Sequence, residues 1–337
     1  MTLKFCASVI RRVESLVRTT RLKNITHSFC TYFDSRYLDK GLCLYESLRK
    51  QLGNVELWVL CLDAEVHRVM QRLELPGVHP LAMDELERDD PALKACRDNR
   101  RLVEYYFTST PCLVRRLLQR ALHPGWITYL DSDLYFFGSP APIFEEMNAG
   151  DVAIIPHRFS ESQRNLEMYG KYNVGWVSFR NSSAGLRCVE WWRQRCLEWC
   201  RDVPEDGKFA DQKYLDHFHE VTKRVVAIRH PGANLAPWNL ANHAITSDRD
   251  RVRVDGEDLI FFHFHDCKAA GDRAFDPGLA KYQVALPGIV RNEIYMPYLR
   301  LLLEKRRIGG TSTMRFDGTD IELPKASQEN LIEVPLD

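Results

Sequence analysis

The chain has 337 residues, of which 45% are hydrophobic and 27% are charged, as is ordinary for a globular protein. Its 46 basic and 46 acidic residues balance, so no overall positive field would attract nucleic acid, and we expect no nucleic-acid partner. The ten cysteines form no CxxC pair and several lie in apolar runs, which favours the reducing cytoplasm over a disulfide scaffold.

Residues 1–27 form a segment of their own. Between residues 1 and 24, six Lys and Arg side chains accompany Glu14 alone, and apolar residues recur at helical spacing. No run of about 18 apolar residues that would cross a membrane is present in the sequence. A basic amphipathic helix can lie on an anionic membrane surface, which would make the protein peripheral at the inner membrane. Packing of this helix on the protein's own flank is the alternative.

From Ser28 onward, strand and helix patterns alternate, which is typical of an α/β fold with a mixed, mostly parallel sheet flanked by helices. Predicted strands cover 28–33, 55–62, 78–83, 126–130, 151–156, 172–180, 221–228 and 259–265. Predicted helices cover 38–52, 64–73, a region that ends near 123 with a helix start at Pro111, 140–147, 183–200, 209–218 and 289–307. We expect one domain over 28–285, a C-terminal helix within 286–310, and a polar, disordered tail over 311–337.

The fourth predicted strand ends in two carboxylates. Asp131 and Asp133 interrupt an apolar run from Ile127 to Phe137, and burial of ionised carboxylates requires a partner or a function. Alternate residues of a strand point the same way, so both side chains can reach one point, where a hard divalent cation would relieve their repulsion. A surface turn that happens to hold two Asp residues is the alternative.

Two further regions carry side chains suited to such a site. His263 and His265 are two residues apart at the end of an apolar strand, and either could supply an imidazole ligand. Gly175 breaks a strand beside Asn173, which indicates a close approach of a ligand or simply a bulge. Asp211 precedes Gln212 at a predicted helix start, where it either caps the helix or serves the site.

In chain order, these motifs resemble the GT-A glycosyltransferases, and among them the family 8-like bacterial nucleotide-diphospho-sugar transferases. The resemblance covers about Phe29 to Lys268. It rests on five elements in chain order. They are the first strand and helix at 29–34 and 42–48, the DxD motif at 129–133, an FNxG-like strand at 172–176, an xDQ-like segment at 210–212, and a C-terminal motif at 262–268 that resembles HFxGxxKPW. This C-terminal motif departs from HFxGxxKPW at three points: Asp266 replaces the Gly, Lys268 lies one position earlier than the Lys of the motif, and the Pro-Trp pair is missing.

The resemblance implies a GT-A fold and an EC 2.4 hexosyltransferase that moves a sugar from a nucleotide diphosphate, UDP above all, to a glycan or lipid-linked acceptor in bacterial surface polysaccharide synthesis, with retention. It implies Mn²⁺ or Mg²⁺ on Asp131, Asp133 and His263 (or His265). Asp211 and Gln212 would lie beside the anomeric carbon, with Asn173 on the opposite wall of the pocket. The implied donor contacts are Thr31, Tyr32, Asp34, Tyr37, Arg115, Ser132, His157, Asn173, Gly175 and Lys268.

Three other functions fit parts of the sequence. A sugar nucleotidyltransferase shares the sheet but needs a glycine-rich loop after the first strand, where this chain reads Thr31 to Arg36 without glycine. A phosphatase with an Asp-x-Asp pair needs Thr or Val at the position of Tyr135. A non-catalytic carbohydrate-binding homologue would be expected to have lost some of the polar residues that are all present here.

Overall fold

A computed structural model describes residues 26–121, 125–249, 251–308 and 330–335. The predicted basic helix at 1–24 and residues 311–329 of the predicted tail lie outside the described residues. Among the helices that the structure describes, none is long and apolar enough to cross a membrane. The nine cysteines in these ranges are all buried free thiols.

A central sheet of seven strands organises the molecule, in the spatial order β3-β2-β1-β4-β7-β6-β8. Strand β7 runs antiparallel to both of its neighbours, and the other neighbouring pairs are parallel. The predicted mixed, mostly parallel sheet is therefore confirmed. Its strands, together with the short β5 that follows β4, are β1 Thr26–Phe33, β2 Glu56–Cys61, β3 Val78–Ala82, β4 Gly125–Leu130, β5 Leu134–Phe136, β6 Val152–Pro156, β7 Tyr172–Arg180 and β8 Val225–Ala227.

Helices cover both faces of this sheet. They are α1 Leu38–Leu52, α2 Ala64–Leu73, α3 Met83–Asp89, α4 Pro91–Cys96, α5 Leu102–Arg120, α6 Ala141–Met147, α7 Ser183–Glu198, α8 Phe218–Val221 and α9 Met296–Ile308. Successive strand residues enter different cores: Phe29 packs in the core that includes α1 and α2, and Cys30 in the core that includes α5 and α7. Burial on both faces explains why these strands read as continuous apolar runs.

Three small sheets extend the fold beyond β8. Their strands are β9 Ile245–Asp248, β10 Arg251–Val254, β11 Glu257–Asp258, β12 Phe261–His263, β13 Lys268–Ala269, β14 Ala274–Asp276 and β15 Ile332–Glu333. Strand β12 pairs antiparallel with β5, which directly follows the Asp131–Asp133 turn. This pairing brings the histidine-bearing strand to the acidic turn.

Several predicted element boundaries are wrong. Pro111 does not begin a helix but lies inside α5, whose first turn is closed by Glu104 accepting a hydrogen bond from the Arg101 backbone N–H at 2.9 Å. The predicted helix over 209–218 is only a 3₁₀ turn, Lys213–His217, followed by α8, because Ala210 has a left-handed backbone with φ 46°.

The C-terminal elements also differ from prediction. The helix predicted from 289 begins as a π-helical turn, Val290–Tyr295, and becomes α-helical at Met296. Helix α9 contacts α1, where the Arg306 Nε donates to Asp39 Oδ2 at 2.8 Å. Strand β15 pairs with β14 and buries Ile332, so the prediction of a disordered tail is wrong for residues 330–335.

Candidate active site

The two carboxylates at the end of β4 sit in a turn that three strands hold in place. The Asp131 N–H donates to the Gly175 carbonyl of β7 at 3.2 Å, and the Leu134 N–H donates back to the Asp131 carbonyl at 3.3 Å. The Phe264 N–H, just after β12, donates to the Asp133 carbonyl at 3.0 Å. These three bonds use main-chain atoms only. Of the two carboxylates, Asp131 also accepts a hydrogen bond from the Tyr129 hydroxyl on Oδ1 at 2.9 Å, which leaves its Oδ2 to face a ligand.

Asp131, Asp133 and His263 form a cluster that could hold a metal ion, with one ligand atom from each lying within 4.8 Å of the others. The His263 Nε2 is 3.1 Å from Asp133 Oδ1 and 3.7 Å from Asp131 Oδ2. His265 lies outside this cluster, with its Nε2 3.4 Å from Asp266 Oδ2. Of the two histidines, His263 is the one that belongs to this cluster, and its role as a metal ligand remains a prediction.

The donor set fits a hard or borderline divalent cation. Two carboxylate oxygens and one imidazole nitrogen occupy half of an octahedral shell and leave positions for phosphate oxygens. Without the cation, burial raises the pKa of Asp131 to about 6, and the adjacent Asp133 carboxylate adds to this rise. Burial opposes a charge on His263, but Asp133 and then Asp131 raise the pKa of that imidazole. A proton on His263 thus neutralises part of the negative charge of the two carboxylates, as a metal cation would.

Asn173 sets the orientation of the His263 ring. Its Oδ1 accepts a hydrogen bond from the Gly175 N–H at 3.1 Å and lies 3.2 Å from His263 Nδ1. An oxygen at that place selects the tautomer that carries its proton on Nδ1, which leaves the Nε2 lone pair for a metal. A Cβ at Gly175 would lie 2.9 Å from the His263 ring, so this close packing explains the glycine within β7.

Gln212 in turn holds Asn173. Its Oε1 accepts from Asn173 Nδ2 at 3.0 Å and from the Val174 N–H at 3.1 Å, and its Nε2 donates to the Tyr169 carbonyl at 3.1 Å. The expectation that Asn173 and Gln212 lie on opposite walls is therefore wrong, because they bond to each other on one wall. The predicted catalytic contact of Gln212 remains a prediction.

Asp211 is buried, with 1% of its surface exposed, beside the acidic turn. Its Oδ2 has no hydrogen-bond partner among the described residues, although Trp192 Nε1 holds its backbone carbonyl at 2.8 Å. Burial raises the pKa of Asp211 to about 7; the nearby Thr110 hydroxyl opposes this rise, and the Asp131 carboxylate adds to it. A buried carboxylate oxygen without a protein partner is a costly feature that a bound ligand would justify.

His157 is a second buried polar group of the same kind. Its Nε2 faces Asn173 Nδ2 at 3.2 Å, and its Nδ1 has no partner in the described part of the chain. Burial lowers the pKa of His157 to about 3, with the charge of His263 adding to the shift, so the ring is neutral.

A cleft of about 1080 Å³ contains these groups and most of the residues expected at the site. The expected residues that line it are Tyr32, Asp34, Tyr37, Asp131, Ser132, Asp133, His157, Asn173, Asp211, Gln212, His263 and His265. Gly175 lies directly behind the wall, under the His263 ring.

The structure does not bring Thr31, Arg115 and Lys268 to the lining of this cleft. Thr31 is buried within β1. Arg115 pairs with Glu190 between α5 and α7, and the Lys268 ammonium pairs with Asp266 at 3.3 Å on a side chain that is 71% exposed. The resemblance to the family implied that these three residues contact the donor, but the fold places them outside the lining of the cleft.

Sequence reasoning missed several residues that line the cleft: Arg36, Arg101, Leu102, Val103, Tyr169, Val203, Phe209, Lys281 and Tyr282. Lys281 comes from a 3₁₀ turn, Ala280–Tyr282, with no motif around it, and its Nζ lies 3.0 Å from Asp266 Oδ2. Trp238 also lines the cleft; it lies in the turn-rich run at 232–239, whose indole and two amides suit a hydroxyl-rich ligand. Its Nε1 donates to the His157 carbonyl at 2.9 Å, so it supports the site from behind.

Two known proteins are similar to the chain in sequence. The uncharacterized protein YfnF of Bacillus subtilis is 33% identical over 248 residues, which cover 71% of this chain and 81% of YfnF. YfnD of the same organism is 29% identical over 317 residues, which cover 93% of this chain and 99% of YfnD. No family model matches the sequence.

Among solved structures, the galactosyltransferase LgtC in complex with donor and acceptor sugar analogs superposes with a TM-score of 0.50 at 15% identity. The match covers 80% of this chain and 100% of that one. The predicted GT-A fold is confirmed by this likeness, and at this identity the likeness speaks for the fold alone.

Proposed function

The chain belongs to the family of YfnF and has the GT-A glycosyltransferase fold, and we propose that it is a metal-dependent glycosyltransferase acting on a nucleotide-diphospho-sugar. The observation that carries the proposal is the Asp131–Asp133–His263 cluster, which lies at the end of β4 inside a cleft large enough for such a donor. Open α/β sheets bind their ligands at this edge, outside the carboxyl ends of the strands.

The chemistry of glycosyl transfer matches the groups present. A divalent cation held by the cluster would neutralise the nucleotide diphosphate as it leaves. Asn173 keeps His263 in the tautomer that can bind this cation, and Gln212 keeps Asn173 in place. Asp211, with its unpartnered Oδ2, is the group that can face positive charge developing on the sugar.

The finer assignments rest on the motif resemblance. We propose UDP as the carrier, Mn²⁺ or Mg²⁺ as the ion, a glycan or lipid-linked acceptor of bacterial surface polysaccharide synthesis, and transfer with retention. The mixed oxygen and nitrogen ligands of the cluster favour Mn²⁺ over Mg²⁺, which prefers oxygen alone.

A thermal-shift panel tests the proposed function. Nucleoside mono-, di- and triphosphates are added with and without Mn²⁺, and one diphosphate should raise the melting temperature strongly only when the metal is present. Stabilisation by triphosphates alone would favour the nucleotidyltransferase. No shift with any nucleotide would favour a non-catalytic carbohydrate-binding protein.

Lys281, rather than Lys268, should neutralise the departing diphosphate. Lys281 lines the cleft, whereas Lys268 is exposed outside its lining. Lys281→Met should weaken the affinity for nucleoside diphosphate and Mn²⁺ by about 10-fold or more, the effect of losing one charge-assisted contact. Lys268→Met is the matched control and should stay near the wild-type affinity in isothermal titration. The reverse ranking of the two variants would restore the assignment drawn from the motif.

We also propose that residues 1–24 hold a cytoplasmic enzyme at the inner face of the membrane, on the strength of their charge pattern. The full chain should sediment with anionic vesicles at low salt and be released as salt rises, because surface charges are screened. Deletion of residues 1–24 should abolish sedimentation while donor hydrolysis continues. A full-length protein that ignores anionic vesicles at low salt would contradict the proposal.

A further inference from the structure

Several large apolar side chains that remain exposed line the cleft. Among the described residues, the most exposed of them are Leu102 at 59% and Val203 at 55%, and both line the cleft together with the partly exposed Val103. Met168 is similarly exposed at 50% but does not line the cleft. We call Leu102, Val103 and Val203 the apolar mouth. Exposed apolar side chains in the lining of a cleft are typical of a binding site.

One buried carboxylate builds this mouth. Glu104 accepts hydrogen bonds from the Arg101 backbone N–H at 2.9 Å and from the Asp202 backbone N–H at 3.2 Å. It therefore ties the first turn of α5, which carries Leu102, to the loop that carries Val203. Arg101 reinforces the junction, with one guanidinium nitrogen 3.0 Å from Glu104 and 3.6 Å from Asp202. Hydrogen bonds and ion pairs therefore hold together the two segments that carry the apolar side chains, the first turn of α5 and the loop that carries Val203.

We propose that the apolar mouth binds the hydrocarbon aglycone of the acceptor, as carried by an alkyl glycoside or a lipid-linked glycan; this rests on the proposed function. The mouth is continuous with the cleft that holds the acidic cluster, so an acceptor whose sugar reaches the cluster leaves its aglycone here. The three side chains are aliphatic and offer no hydrogen bonds, which suits a saturated chain better than a nucleobase with polar edges.

The size of the mouth argues against a second copy of the chain as its occupant. A stable dimer buries about 800 Å² on each partner, from roughly 20–30 residues. Three side chains in the lining of a cleft are far short of such a surface.

The test compares two probes that differ only in the aglycone. Binding of n-octyl β-D-glucoside, kept below its micelle concentration, and of methyl β-D-glucoside is measured by ligand-observed NMR. The wild-type protein should bind the octyl glucoside at least about 10-fold more tightly. A double variant with Leu102→Ser and Val203→Ser should lose most of that preference, whereas Met168→Ser, the matched control, should keep it.

The remaining outcomes separate this inference from the proposed function. Equal binding of both glucosides to the wild type, or a preference that survives in the double variant, overturns the apolar mouth. Loss of UDP–Mn²⁺ binding in the double variant would assign the mouth to the nucleotide, and a dimer that the double variant dissociates would assign it to self-association; either overturns the inference. If the octyl preference behaves as expected but no nucleoside diphosphate stabilises the wild type, the mouth stands and the glycosyltransferase proposal fails. Circular dichroism verifies that each variant is folded, with Leu102→Ala as a milder replacement.

Discussion

Replacement of Asp131 or Asp133 by Asn should abolish Mn²⁺-dependent binding of nucleoside diphosphate while the protein stays folded. Each variant removes one charged oxygen ligand from a cluster that has only two. The folded state should tolerate Asp131→Asn well, because burial raises the pKa of Asp131 to about 6 and the adjacent Asp133 carboxylate adds to the rise. Asp133→Asn should cost some stability, because His263 outweighs burial and lowers the pKa of Asp133 in the folded protein. Isothermal titration with and without Mn²⁺, beside thermal unfolding of each variant, measures both effects.

Two matched controls make this result specific. His263→Ala should lose metal-dependent binding as well, whereas His265→Ala should retain it, because only the His263 Nε2 faces the carboxylates. Asp266→Asn removes an acidic side chain that pairs with Lys281 and Lys268 instead of the cluster, and it should leave the metal requirement unchanged. Wild-type metal-dependent affinity in both Asp131→Asn and Asp133→Asn would show that the cluster does not bind the cation.

The acidic cluster was predictable because its signals are local. Two carboxylates that interrupt an apolar run stand out in the sequence. The structure places both in the turn after β4 and not in the strand, so the turn brings them to one point instead of the strand alternation that the prediction assumed. The histidines at 263 and 265 carried a similar signal, but sequence alone could not separate them. The separation depends on where β12 ends against β5 and on the Asn173 oxygen behind His263.

The residues that were missed or misplaced depend on contacts far apart in the chain. Lys281 reaches the cleft through a 3₁₀ turn that carries no motif, and Lys268 was assigned from a motif that this chain only partly keeps. The prediction of a helix at 209–218 was wrong because Ala210 adopts a left-handed backbone conformation. Alanine rarely adopts this conformation, so the residue type gave no sign of it. Tertiary contacts override propensity at such positions.

Asp211 should affect turnover much more than nucleotide binding. Its Oδ2 is buried in the cleft and has no hydrogen-bond partner among the described residues, so a bound sugar is the group that it can serve. Asp211→Asn keeps the shape and removes the charge, and we expect a loss of about 10²-fold or more in kcat with the affinity for nucleoside diphosphate nearly unchanged. Asp272→Asn is the control, because Asp272 is exposed and does not line the cleft.

The same substitution should stabilise the protein, in a manner that depends on pH. The pKa of Asp211 is about 7 in the folded protein, above its ordinary value of 3.8, so folding favours the protonated carboxyl. Wild-type stability therefore falls as pH rises from about 4 through 7, and the full cost, up to roughly 4 kcal/mol, is present above that range. Asp211→Asn removes this cost, so its melting temperature should exceed that of the wild type at pH 8 and approach it near pH 4, measured with EDTA to exclude metal ions.

The two readouts together distinguish a functional carboxylate from a structural one. Replacement of a residue that stabilises the fold lowers the stability of the protein. Replacement of a residue that serves the chemistry in spite of its burial cost raises the stability of the protein and lowers its turnover. If Asp211→Asn melts below the wild type at pH 8, the carboxylate holds the fold together. If nucleotide affinity and kcat fall by the same factor, Asp211 belongs to the nucleotide site. Only slower turnover combined with unchanged nucleotide affinity and a higher melting temperature places the Asp211 charge at the sugar.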